Sequence, residues 1–180
     1  MKTRINLKYL FIAAFAVAGS WFIHEFAHWS VGEILGYDMK MTLNTAGIID
    51  GSYGYTWERL LVSAAGPFVT MVQAVIFWIL IMKRPNQYLF PFIFTPLYFR
   101  ALASFMNIIN LNDEGRISHA MGIGTYTLPI IVTLFLFVLV YSVAKKLYLR
   151  KSFIAWNTLL VMIFSSVIIL SDQMLQIRLI

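Results

Sequence analysis

Two histidines and a glutamate lie within five consecutive residues, His24-Glu25-Phe26-Ala27-His28, inside a long apolar run. On an α-helix, residues i and i+4 lie on one face, so His24 and His28 can present imidazole nitrogens to one metal ion. Glu25 is adjacent, and its carboxylate can reach a water molecule on that metal and accept its proton. The spacing therefore predicts a Zn²⁺ site with His24 and His28 as ligands and Glu25 as the catalytic base of a hydrolase.

Two other interpretations of the histidine pair stay open at this point. The two side chains could be structural residues of a packed helix, or they could be the paired imidazole ligands of a haem or a copper ion. Charged groups in a membrane-embedded helix cost roughly 2.5–3.5 kcal/mol each. Three polar groups in one turn of such a helix are hard to keep without a function, which favours the hydrolytic interpretation.

Composition bounds the class of protein. The chain has 180 residues, of which 60% are hydrophobic and 12% charged, and its mean hydropathy is +0.77. A soluble domain is about 45–50% apolar and about 25% charged, so this composition indicates an integral membrane protein. The absence of cysteine excludes disulfides and thiolate ligands, so any metal must be bound by His, Asp or Glu.

The apolar segments predict an all-α membrane protein with about five transmembrane helices. The first apolar run continues to Val31, past small residues that could end a signal peptide, so we expect an uncleaved first helix. We expect a single integral membrane domain over residues 1–180, with a catalytic core at about 9–124 and scaffold helices at about 126–171. The predicted spans cover about residues 9–35, 57–82, 88–111, 126–143 and 153–170.

Residues 36–56 interrupt this pattern and predict a small β-hairpin after the first helix. Polar and apolar residues alternate from Met39 to Leu43, and turn-forming residues follow at Gly47 and at Asp50-Gly51. The open edge of such a hairpin could accept an extended substrate strand. An ordinary surface hairpin is an equally good interpretation of the same residues.

A second polar cluster follows the third span, at Asn107, Asn110, Asn112, Asp113 and Glu114. A catalytic zinc site usually has three protein ligands, and the first helix offers no third ligand at helical spacing after His28. The third ligand is therefore predicted to be Asp113, with Glu114 as the alternative and His119 as a weaker one. Glu114 is expected to meet Arg116 or solvent instead.

Other polar residues near the third span receive separate predictions. Arg100 lies within the span, where an arginine needs a carboxylate or carbonyl partner, so it is expected to face the bundle interior in a structural role. Asn107 or Asn110 could contact the substrate or stabilise the oxyanion of the transition state.

Three motifs occur together in a fixed order: His24-Glu25-Phe26-Ala27-His28, then Ala65-Gly66-Pro67, then Asn107 through Asp113-Glu114-Gly115. Over roughly residues 20–124 this arrangement resembles the site-2 protease family of intramembrane zinc metalloproteases, as a divergent and minimal member. The resemblance implies that His24 and His28 bind zinc, that Glu25 is the catalytic base, and that a carboxylate of the second cluster is the third ligand.

The expected activity is hydrolysis of peptide bonds within or at the edge of the bilayer, with another membrane protein as substrate. The alternative is a non-hydrolytic metal-binding membrane protein or transporter that uses the same ligands. Glu25 discriminates between them, because a binding site has no need of a base beside the metal. The formal charge of +6 does not indicate nucleic acid, since the basic residues flank apolar spans and meet lipid head groups.

The basic residues also predict orientation in what we expect to be the cell membrane. By the positive-inside rule, the N-terminus is cytoplasmic and the C-terminus lies outside. The resemblance, by contrast, implies a site nearer the cytosol. The charge count compares Lys40, Arg59, Arg116 and Arg178 on one side with nine residues on the other: Lys2, Arg4, Lys8, Lys83, Arg84, Lys145, Lys146, Arg150 and Lys151.

Overall fold

The computed structural model describes residues 5–175 and 177–180, and it confirms a helical multi-pass membrane protein with a hairpin after the first helix. Five of its helices are long and apolar enough to cross a membrane. In chain order the elements are α1 (Leu7–Ile34), β1 (Met39–Met41), β2 (Ala46–Ile48), α2 (Thr56–Lys83), a 3-10 turn (Gln87–Leu89), α3 (Phe90–Met106), α4 (Asp113–Ala120), α5 (Thr127–Lys146) and α6 (Lys151–Leu175).

Helix α1 is central, and it packs against α2, α3 and α6, while α5 packs against α2, α3 and α4. Its buried face carries small residues such as Ala13 and Ala16, which allow close helix packing. Many large apolar side chains on the outer helix faces are exposed. In a bilayer those faces meet lipid, so they need no protein cover.

A proline in α3 links that helix to α2. Pro96 has no N–H, so it leaves the carbonyl of Phe92 without its helical donor. The side chain of Gln73 in α2 donates to this carbonyl at 2.8 Å and also to Ser20 of α1 at 2.8 Å. The buried amide of Gln73 therefore connects α2 to both α1 and α3.

The predicted hairpin is present, but the predicted position of its turn was wrong. Strand β1 pairs with β2 in antiparallel register, and Gly47 lies within β2 rather than in the turn. The chain reverses between Thr42 and Thr45, whose backbone groups bond at 2.8 Å and whose hydroxyl oxygens lie 2.9 Å apart. This pair of threonines closes the turn before the Asp50-Gly51 dipeptide is reached.

Two further predicted boundaries were wrong. The third span ends at Met106 rather than at residue 111. Asn112 then accepts a hydrogen bond from Gly115 N at 2.6 Å and caps the start of the short helix α4. The last span continues past residue 170 to Leu175 and includes Asp172. The Asp172 carboxylate accepts a hydrogen bond from Leu43 N at 3.0 Å, so this scaffold helix supports the hairpin directly.

Residues 177–180 return to the hairpin and lie along the outer edge of β1. Met41 N donates to Ile180 O at 3.1 Å, and Leu179 N donates to Met41 O at 2.8 Å. Farther along the same edge, Met39 N donates to the Glu33 carboxylate at 2.9 Å. The outer edge of β1 is therefore occupied by the chain itself.

Candidate metal centre

The structure brings His24, His28 and Asp113 together around one point. The Nε2 atoms of His24 and His28 lie 3.2 Å apart. Asp113 Oδ2 lies 3.4 Å from each of these two nitrogens. The three atoms form a nearly equilateral triangle, and both histidines are buried.

The spacing of these three side chains fits a tetrahedral metal ion such as zinc. Nitrogen and oxygen ligands lie about 2.0–2.1 Å from zinc, so two ligands of a regular tetrahedron are about 3.3 Å apart. Each side of the observed triangle is within about 0.2 Å of that value. Two imidazoles and one carboxylate also leave a fourth tetrahedral position for water or substrate, as catalytic zinc sites require.

The tautomer of His28 suits this role. Its Nδ1 atom lies 2.6 Å from the Val62 carbonyl of α2, which can only accept a hydrogen bond. The proton therefore resides on Nδ1, and the lone pair of Nε2 points into the triangle. Such a bond from the remote ring nitrogen also holds the ring of a metal ligand in place.

Gly66 of α2 allows the two histidine rings to lie where they do. A Cβ atom at this position would collide with Nε2 of His28 and with the ring of His24. The Ala65-Gly66-Pro67 motif is therefore more than a general helix-packing feature, because its glycine touches both predicted ligands.

Arg116 orients Asp113 at the start of α4. Its guanidinium donates to Asp113 Oδ1 at 2.5 Å, to Leu111 O at 3.1 Å and to Ser63 Oγ at 3.2 Å. Oδ2 is thereby left to face the histidines. Burial opposes ionisation of Asp113, but interactions with the rings of His24 and His28 outweigh it and hold the pKa of this carboxyl well below its usual range.

Glu114 has a different role, and the prediction that it meets Arg116 or solvent was wrong. Its buried carboxylate pairs with Arg100 of α3 at 2.9 Å, because adjacent residues of a helix point in different directions. This pairing bears out the prediction that Arg100 faces the bundle interior with a carboxylate partner. Arg100 also lies 3.5 Å from His24 Nε2 and 3.9 Å from Asp113 Oδ2.

Glu25 lines the same cavity as the three candidate ligands and is buried. No hydrogen bond or ion pair to its carboxylate comes from residues 5–175 or 177–180, in contrast to Asp113 and Glu114. A carboxylate that is free of local partners is available to accept a proton from a water molecule in the cavity.

Asn107 and Asn110 do not line this cavity. Asn107 is buried, and its Oδ1 accepts a hydrogen bond from Asn112 N at 2.6 Å, which shapes the turn before α4. Asn110 is exposed on the same turn, and His119 is exposed near the end of α4. The structure thus gives Asn107 a positioning role and brings neither asparagine to the candidate ligands.

The cavity has a volume of about 760 Å³ and extends from the candidate ligands to the hairpin and the loop that follows it. Three residues of α2 at its wall were not assigned to the site from the sequence: Arg59, Val62 and Ser63. They recur at spacings of three and four, which places them on one helix face. This spacing, just before the Gly66-Pro67 pair, was the sequence signal that could have indicated that these residues face the site.

Comparison with models of protein families, with curated proteins and with solved structures finds no match for this chain. Its function is therefore inferred from the geometry of the centre and its cavity.

Proposed function

We propose that this protein is a zinc metalloprotease that hydrolyses peptide bonds of membrane proteins within or at the edge of the bilayer. The observation that carries the proposal is the ligand triangle, with sides of 3.2, 3.4 and 3.4 Å, in one cavity with the free carboxylate of Glu25. His24, His28 and Asp113 would hold the ion. When bound there, zinc supplies Lewis-acid chemistry and activates water near neutral pH.

Glu25 supplies the proton transfers. Its carboxylate accepts a proton from the attacking water and then delivers it to the nitrogen of the departing amine. Arg116 holds Asp113 in one rotamer, and the Val62 carbonyl does the same for His28. These contacts fix the positions of the ligands before substrate arrives, so less reorganisation is needed during the reaction.

The hairpin supports a mode of substrate binding. Met41 bonds outward to the C-terminal residues, so its antiparallel partner Ala46 also directs its backbone groups away from the ladder. Ile48 follows the same alternation, and both residues line the cavity. We propose that substrate binds as an extended strand along this free edge of β2, which brings a backbone amide toward Glu25.

The position of the cavity favours a membrane-protein substrate. His24 and His28 lie in the second half of α1, and the cavity opens beside the first turn of α2. Tyr55 and Trp57 are exposed at that turn, and aromatic residues of this kind occupy the bilayer interface. A substrate segment that leaves the hydrocarbon region would therefore meet the centre near the membrane surface.

The Glu25→Gln variant tests this proposal against non-hydrolytic metal binding. Glutamine keeps the size of glutamate but cannot accept the proton, so we expect hydrolysis to fall about 10²- to 10⁴-fold while bound zinc is unchanged. Zinc is measured by elemental analysis of the purified protein. Cleavage is measured by mass spectrometry of new N-termini in a detergent extract of membrane proteins.

Asp50→Asn is the matched control, because Asp50 is an exposed carboxylate that does not line the cavity. It should keep both zinc and cleavage. Cleavage at the wild-type rate by Glu25→Gln would refute the protease proposal. Stoichiometric zinc in a wild-type protein that cleaves nothing would favour the metal-binding protein or transporter instead.

A further inference from the structure

Among the described residues, the cavity wall carries one cation that the centre does not use. Arg59 and Arg116 line this wall, and the side chain of Arg116 is engaged by Asp113, Leu111 and Ser63. Arg59 is exposed, and within the described part of the chain its guanidinium makes no hydrogen bond or ion pair. A positive charge is therefore available to a group that enters the cavity.

The helix geometry sets the distance of this charge from the centre. Arg59 precedes Val62 and Ser63 by one turn, and these two residues contact His28 and Arg116. With a rise of 1.5 Å per residue, Arg59 begins about 6 Å farther out along α2 than Ser63. An extended peptide advances about 3.3–3.4 Å per residue, so this offset corresponds to about two residues of bound substrate.

Tyr53 lies on the same part of the wall. It is half-buried, its ring packs edge-on against Tyr37 with centroids 5.0 Å apart, and its hydroxyl has no hydrogen-bond partner among the described residues. Burial raises the pKa of Tyr53, and the nearby charges of Arg116 and Arg59 oppose that rise. The phenol thus remains a neutral O–H donor within the field of Arg59.

We propose that Arg59 and Tyr53 form a subsite that binds a carboxylate of the substrate about two residues from the scissile peptide bond. This inference rests on the proposed protease function and names the chemistry that the site selects. A guanidinium and a phenol both donate to carboxylate oxygens, and charge-assisted bonds of this kind are among the stronger ones. The carboxylate belongs either to an Asp or Glu side chain or to a free C-terminus.

The test measures binding rather than cleavage, so it does not depend on hydrolysis. The probes are fluorescein-labelled, C-terminally amidated peptides of eight residues, built from Ala and Val, with one Asp or one Asn at each position in turn. A second set of all-apolar peptides carries a free C-terminal carboxylate. Affinities for zinc-loaded Glu25→Gln protein are measured by fluorescence anisotropy in a neutral detergent.

We expect Asp to bind about tenfold more tightly than Asn at one or two adjacent positions. This ratio should fall to about one when Arg59→Gln is added and should invert with Arg59→Glu. Adding Tyr53→Phe should reduce the ratio partially. Lys40→Gln is the matched control, since Lys40 is an exposed cation of the same hairpin region outside the cavity, and it should leave the ratio unchanged.

A preference confined to the free-acid peptides would assign the carboxylate to a substrate C-terminus. Equal affinity for Asp, Asn and free-acid peptides, or no binding of any peptide, would overturn the subsite. A preference that survives Arg59→Gln, or that Lys40→Gln removes equally, would also overturn it. Binding of the protein to phosphatidylserine vesicles is measured as well. If Arg59→Gln weakens only this vesicle binding and leaves the peptide ratio unchanged, the subsite is also overturned. If the Asp preference is present but the wild-type protein cleaves no substrate, the protease proposal is overturned and the carboxylate subsite is retained.

Discussion

Asp113 and Glu114 are neighbours in the sequence, yet their carboxylates serve different parts of the molecule. Asp113 faces the two histidines and is held by Arg116, whereas Glu114 faces Arg100 in the bundle interior. Removing one carboxylate should weaken metal binding, and removing the other should weaken folding. The two effects are separable because each can be measured on its own.

Asp113→Asn should lower bound zinc strongly, because a neutral amide is a poor replacement for an anionic ligand. Glu114→Gln should keep more zinc but destabilise the protein by up to about 3–5 kcal/mol, since buried Arg100 loses its hydrogen-bonded carboxylate and keeps only the more distant Asp113, 3.9 Å away. Zinc content and denaturation in detergent report the two effects. Equal zinc in Asp113→Asn and wild type would remove Asp113 from the ligand set.

Arg100→Met combined with Glu114→Gln is the control for the buried ion pair. The double variant should be more stable than Glu114→Gln alone, because it also removes the buried guanidinium that has lost its hydrogen-bonded partner. No recovery in the double variant would mean that Glu114 acts through something other than Arg100.

At the scale of elements, the centre depends on how closely α1 approaches α2. At Gly66 of α2 there is no side chain, so the rings of His24 and His28 on α1 can lie directly against the α2 backbone. The hairpin adds a second element, because it presents the free edge of β2 to the cavity while its other edge is covered by residues 177–180. Each arrangement can be tested with a substitution that leaves His24, His28 and Asp113 unchanged.

Gly66→Ala should disturb the centre without altering a ligand. The added methyl group must displace both histidine rings or separate the helices, so we expect reduced zinc content and a loss of about 1–3 kcal/mol. Gly19→Ala is the control, because a Cβ on this glycine of α1 meets nothing within 4 Å. It should be neutral or stabilising by up to about 1 kcal/mol. Normal zinc content in Gly66→Ala would argue against the close approach.

Ile48→Pro should weaken substrate binding while keeping the hairpin. The outward N–H of Ile48 is not part of the β1–β2 ladder, so proline removes only the donor offered to a substrate strand. We expect KM for peptide substrates to rise about tenfold, as expected for loss of about one hydrogen bond. Ile48→Ala keeps the N–H and should change KM much less. Equal KM values in the two variants would rule out strand addition at this edge.

At the scale of the whole molecule, the centre, the hairpin and the C-terminal end of α6 lie toward one side of the helix bundle. More basic residues lie on the opposite side of the bundle than on this side. Lys2 and Arg4, which the charge count from the sequence included, lie outside the described residues. The remaining opposite-side residues still outnumber Lys40, Arg59, Arg116 and Arg178: they are Lys8, Lys83, Arg84, Lys145, Lys146, Arg150 and Lys151. The charge distribution therefore still predicts a cytoplasmic N-terminus and a cavity that opens outward.

Single cysteines test this orientation, because the natural chain contains none. Ser52→Cys lies in the exposed loop at the cavity, and Ser152→Cys lies at the exposed start of α6 on the opposite side. A membrane-impermeant maleimide applied to intact cells should label Ser52→Cys and leave Ser152→Cys unmodified until the membrane is opened. The reverse pattern would support the cytosolic site that the family resemblance implies.

Features that depend on neighbours along the chain were predictable from the sequence. The long apolar runs, the one-face placement of His24 and His28, and the hairpin after the first helix follow from local periodicity and from the solvent that a bilayer provides. Features that depend on distant partners were decided by tertiary packing. The support that the Asp172 carboxylate of α6 gives to Leu43 N of the hairpin, for example, joins residues that lie 129 positions apart in the chain.

The same distinction applies to the charges at the centre. Arg116 pairs with Asp113 one turn away on the same helix, α4, whereas the pairing of Glu114 with Arg100 requires α3 to pack beside α4. The importance of Gly66 arises where α2 packs against α1, and Arg59, whose guanidinium has no partner among the described residues, meets the hairpin only as a neighbour in the cavity wall. Composition and spacing identify groups that can do chemistry, but the packing of separate elements determines which groups meet, because contacts between them are set by three-dimensional distance.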